Sequence, residues 1–172
     1  MLKLAALALA AASASAPPAL VSTSSWWEKI TVTVAGDGKP QSCSYESSGA
    51  KGLTSGCEVE GGGEMSATPA GARDEYTRIT FERRFIPGDA QPESAELHPG
   101  DTLLGGQVMA LAIGAGGEVK GCKVVATAGE MKPDYGCAEA AAERFEAKAG
   151  AADSTQLGFM TVMVYGHEEH LA

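Results

Sequence analysis

Four cysteines, Cys43, Cys57, Cys122 and Cys137, are the residues of this 172-residue chain whose spacing most invites a chemical reading. Cys57 follows Cys43 by 14 positions and Cys137 follows Cys122 by 15. Zinc sites favour close pairs such as C-x-x-C, and none is present, so disulfides are the better fit. Four cysteines allow three connectivities, and spacing alone does not choose among them. The three histidines are His98, beside a proline, and His167 and His170 near the end of the chain. His167-Glu-Glu-His170 is not the H-E-x-x-H pattern that puts two imidazoles one helical turn apart, and it reads as a solvated polar tail. Gly114-Ala-Gly-Gly117 lacks both the P-loop Lys-Ser/Thr and a helix opening directly after it, so it reads as a hairpin turn. Trp26-Trp27 fits a large apolar anchor at a strand start better than an exposed binding surface. Arg83-Arg84 reads as a solvated basic pair. No nucleophile stands with a base, so the expectation is a non-enzymatic protein with no catalytic residues, no metal site and no cofactor.

Charge narrows the partners. Thirteen Lys and Arg face 22 Asp and Glu, a net charge of −9 with only ten aromatic residues. That balance argues against nucleic acid, whose phosphates need clustered cations. The start of the chain looks like an address. A basic opening at Lys3 precedes an apolar run from Leu4 to Ala12, and Ala12-Ser13-Ala14 is a small-x-small cleavage pattern. A membrane-spanning helix needs roughly 20 apolar residues. The stretch from Leu4 to Val21 is broken by Ser13, Ser15 and Pro17-Pro18. Residues 1–14 are therefore expected to be a cleaved signal peptide. That implies a periplasmic protein with no stable membrane anchor after cleavage, in a compartment where disulfides persist.

The cysteines also mark an internal repeat. Asp37-Gly38 leads to Cys43, Gly49 and then Gly56-Cys57; Gly116-Gly117 leads to Cys122, Gly129 and then Gly136-Cys137. Cys122 lies 79 residues after Cys43 and Cys137 lies 80 after Cys57, so one inserted residue registers the two copies. Apolar residues keep step: Ile30, Val32 and Val34 alternate before the first turn, as Met109, Leu111 and Ile113 do before the second. Second strands pass through Cys43 and Tyr45, and through Cys122 and Val124. After Asp134, a good N-cap, the Ala- and Glu-rich run from Ala138 to Gly150 predicts a helix with Phe145 on the face of Cys137 and Ala141. In the first copy Thr54 can cap, but Gly61-Gly-Gly63 interrupts, so that helix is short or lost. Each copy closes with a strand, Thr77–Arg83 and Gly158–Val164. The expected fold is α+β: two tandem β-β-α-β units over 26–86 and 103–168, with a Pro- and Gly-bearing linker at 87–102.

These residues resemble the C-terminal domain of the bacterial energy transducer TonB, in its cysteine-containing variant. The likeness rests on Gly117-Glu-Val119-Lys-Gly-Cys122-Lys-Val124 with Asp134 beyond it, and on Ser47-Ser48-Gly49 with Leu53-Thr54 in the first copy. Pro40 departs from the usual Val. The resemblance implies the unit's fold and a binding mode, without the long spacer that energy transduction uses. In a layered unit of that kind the second strand faces the helix start, which pairs Cys43 with Cys57 and Cys122 with Cys137. It also implies β-augmentation, in which an edge strand takes up an extended segment of an envelope or outer-membrane transport protein. The last strand of the second unit, Gly158, Phe159, Met160, Val162 and Val164, carries no edge-protecting charge and is the expected edge. Two alternatives stand beside this: the same strand is buried against the first unit in one continuous sheet, leaving no room for a peptide, or the protein is a disulfide-stapled structural envelope protein with no peptide partner.

Overall fold

A computed structural model describes residues 20–35, 40–48, 77–93, 97–147 and 154–168. The signal segment 1–14, the first-unit helix region with Thr54, Cys57 and Gly61–Gly63, and His170 lie outside them. The described chain is mostly β-sheet with one short helix. Six strands form one antiparallel sheet: β2 (Trp26–Val34), β3 (Pro40–Ser47), β4 (Arg78–Pro87), β5 (Asp101–Ile113), β6 (Val119–Gly129) and β8 (Gln156–His167). Two short strands, β1 (Leu20–Val21) and β7 (Arg144–Phe145), pair in parallel beside it.

Strand order across the sheet is β3-β2-β4-β8-β5-β6. Each half is a hairpin, β2-β3 or β5-β6, whose first strand also pairs with the half's last strand, β4 or β8. Those two last strands join the halves, with Phe85 opposite Met160 and Phe81 opposite Val164. This corrects the expectation of an open edge at Gly158, Phe159, Met160, Val162 and Val164. β8 is bonded to β4 on one side and β5 on the other, in the middle of the sheet. The absence of charge that suggests an unprotected edge belongs equally to a strand buried on both faces. Met160, Val162, Met163, Val164 and Tyr165 are all buried, successive residues on opposite faces.

The helix is also shorter than expected. α1 covers only Cys137–Ala142, with Gly136 rather than Asp134 at its N-cap position. Glu139 reaches back to accept the Gly136 N–H at 2.8 Å. At Glu143 the backbone turns extended, φ −73° and ψ 155°. Phe145 then sits in a strand, donating its N–H to the Gly117 carbonyl at 2.8 Å. Its ring is 1 % exposed and lies 5.2 Å from that of Phe85. Helix propensity separates ordinary residues by only tenths of a kcal/mol, whereas burying a Phe side chain is worth about 1.5–3 kcal/mol, so packing decides where the helix ends. Ala140, not Ala141, is the buried residue of the helix.

The core lies between the sheet and α1. Met109, Leu111 and Ile113 of β5, Met160 and Val162 of β8, Phe85 of β4, Ala140 and Phe145 pack together there. The opposite face of the sheet carries Thr80, Glu82, Arg84, Thr161, Met163 and Tyr165 by strand alternation.

Candidate functional site

Cys122 and Cys137 form a disulfide with their Cα atoms 5.6 Å apart, tying the start of α1 to β6. Cys43, on β3 opposite Val32, is disulfide-bonded as well; its expected partner Cys57 lies outside the described residues. His98 and His167 both meet Asp101. The Asp101 carboxylate accepts the His98 N–H at 3.2 Å and stands 2.8 Å from Nδ1 of His167. Among the described residues no group of His, Cys, Asp and Glu is placed to hold a metal ion, and no helix is long and apolar enough to cross a membrane.

Two ionic clusters sit on opposite faces of β4. Arg83 points to the helix side, where Glu28 Oε1 accepts from both its Nε and its Nη2 at 2.6 Å and Glu143 accepts from its Nη1. Its guanidinium lies between two rings, 5.0 Å from the centroid of Trp26 and 4.8 Å from that of Tyr135. Burial disfavours its charge, but the carboxylates of Glu143 and Glu28 more than offset this and hold it protonated. Burial, with the Glu143 carboxylate, also raises the Tyr135 phenol. On the other face Glu82, 4 % exposed, accepts from Arg84 Nη2 at 2.7 Å and lies 3.5 Å from Lys29 Nζ and from the Tyr165 hydroxyl. Burial, then the nearby Glu82 and Asp101 carboxylates, push the Tyr165 phenol up to about 12.

The expectation that Arg83-Arg84 is merely solvated is therefore corrected. Cross-strand register sets Glu28 opposite Arg83 and Lys29 opposite Glu82, so both charge pairs are built by the β2–β4 ladder. The signal was the inverse order of charge signs in Glu28-Lys29 and Glu82-Arg83, legible only once the antiparallel pairing is known. Trp26 and Trp27 divide between the two faces: Trp26 stacks toward Phe85 at 6.3 Å, and Trp27 lies 5.3 Å from Lys29 Nζ.

With β8 in the centre, the outermost strands are β3 and β6. β3 is the shorter, opens with Pro40, and is mostly polar. β6 runs for 11 residues without proline and exposes Val124 and Val125 at 40 % and 39 %. Register shifts against β5 fall at Val108/Met109 and at Ala112/Ile113. Among the described residues no strand pairs with the outer side of β6. No family model, curated protein or solved structure matches the chain.

Proposed function

We propose that this protein is an exported, non-enzymatic binding module, built of two tandem β-β-α-β units resembling the TonB C-terminal domain. It takes up an extended segment of an envelope or outer-membrane transport protein by β-augmentation, along β6 in place of β8. The observation that carries this reading is the position of β6: outermost, long, free of proline and exposing adjacent valines. An incoming strand gains main-chain hydrogen bonds there, and alternate side chains supply selectivity. The tandem reading draws on the strand order, in which each half repeats a hairpin plus a last strand. Export to the periplasm accords with the Cys122–Cys137 disulfide, since such bonds persist in oxidising compartments.

The test is photocross-linking from β6 and from β3 in intact cells. A cross-linker at Ala126 is expected to yield a discrete adduct with an envelope protein, and one at Ser44 is not. Thr127→Pro should abolish the Ala126 adduct, because proline cannot donate to a strand ladder, and an unchanged denaturant midpoint of that variant would show that the fold is kept. Absence of any adduct at Ala126 would favour the second reading, a stapled structural envelope protein without a peptide partner. The double pairing of β8 speaks for that reading, because it uses the most apolar strand to weld the halves together.

A further inference from the structure

The helix α1 is attached to the sheet at few points, and one of them is covalent. It packs chiefly on β6, an outermost strand, and Ala140 is its one buried residue. Ala138, Glu139, Ala141 and Ala142 are exposed. A six-residue helix is far too short to persist by itself in water. Its flanks are anchored independently: the Tyr135 carbonyl accepts from Gln107 Nε2 at 2.5 Å, and Phe145 is sunk in the core. Between those anchors, residues 136–143 are tied down by the Cys122–Cys137 bond at one end and the Glu143–Arg83 ion pair at the other.

Apolar packing alone does little to keep that segment closed. One alanine methyl buries little surface, and burial stabilises in proportion to area. While the disulfide is intact, Cys137 cannot leave Cys122 and the first turn stays on β6. Both cysteines are half-buried, at the margin of the sheet rather than in its centre, where a thiolate can reach them. We infer that α1 is a redox-held lid, closed while Cys122 and Cys137 are joined and open when a dithiol reduces them. In that exchange one thiolate of the dithiol bonds to one cysteine sulfur, and the other cysteine leaves as a thiolate. The second thiol of the donor then displaces the first, so the donor becomes a disulfide and both cysteines become thiols. Ala140 packs with Met109 and Leu111, which lie opposite Val124 and Cys122 in the β5–β6 ladder. Opening therefore bares these two otherwise sealed side chains. The lid is independent of strand capture at β6.

The test is amide hydrogen exchange and binding of the apolar dye anilinonaphthalenesulfonate, on the full mature chain, oxidised and after reduction with dithiothreitol. Cys122→Ala with Cys137→Ala removes this bond alone and leaves the bond of Cys43 in place. The amides to watch are those of Ala140 and Glu143, which donate to the Gly136 and Ala140 carbonyls. Without the bond, by reduction or in the double variant, they should exchange at least tenfold faster than in the oxidised chain. Dye binding should rise at the same time, while the amides of β8 stay the slowest in the molecule. Equal protection of Ala140 and Glu143 with and without the bond would overturn the inference. Loss of β8 protection together with theirs would overturn it too, because the bond would then hold the whole fold rather than a lid.

Discussion

The two halves of the sheet hold together by different physics. The second half, β5, β6, α1, β7 and β8, supplies most of the fully buried apolar side chains, with Met109, Leu111, Ile113, Phe145 and Met160 at 1 % exposure or less, against Ile79 and Phe85 from the first. The first half, β2, β3 and β4, gives that core Phe85, with Trp26 packed at its margin. It carries instead two layers of cross-strand ion pairs, Arg83 with Glu28 and Glu143 on one face and Glu82 with Lys29 and Arg84 on the other. One half is therefore a hydrophobic scaffold. The other is a charged ladder that docks on it through β4.

Breaking the first half's contribution to the core beneath α1 should have the largest effect. Phe85→Ala leaves a cavity beside Phe145, Met160 and Trp26 and is expected to cost about 3–5 kcal/mol in denaturant unfolding. Removing the staple of the second half with Cys122→Ala and Cys137→Ala should cost roughly 3 kcal/mol, because the bond closes a loop of 15 residues. Thermal unfolding under non-reducing conditions measures it. Arg83→Gln unpairs Glu28 and Glu143 and removes the cation between Trp26 and Tyr135. Allowing for partial solvent screening, this should cost about 2 kcal/mol, read from the same unfolding curves.

The smallest effect is one of pH. The Tyr165 phenol titrates near 12 in the folded chain against about 10 unfolded. The folded state thus holds its proton more tightly, so this contribution is complete below pH 10 and is lost as the pH rises from about 10 to 12. Tyr165→Phe should flatten the fall in stability across that window, measured by unfolding at a series of alkaline pH values.

Local features were open to reading from residue types. Alternating Ile30, Val32 and Val34, and Met109, Leu111 and Ile113, marked β2 and β5 because the side-chain period of a strand is two. Gly117 marked its turn for a sound reason. Its φ is +84°, and a Cβ there would collide with the Phe145 carbonyl oxygen. The pairing of Cys122 with Cys137 followed from the implied packing of a strand on a helix start. Relations between distant segments were not legible. Burial of the last strand against the first unit in one continuous sheet stood as an even alternative to an open edge, because nothing local in β4 and β8 decides between them, and the end of α1 is set by where Phe145 finds Phe85. One overlooked clue was Gly158, taken as part of an open edge. A Cβ at that position would meet the Phe85 ring at 2.5 Å, so this strand glycine marks the close approach of a neighbour.

Amide hydrogen exchange resolved by residue tests most directly whether β8 is the centre of the sheet and β6 its free edge. The account predicts that amides from Gly158 to Gly166 exchange only through global unfolding, while outward-facing amides of β6 exchange orders of magnitude faster through local opening. Fast exchange at alternate amides of β8, with uniform protection along β6, would contradict it.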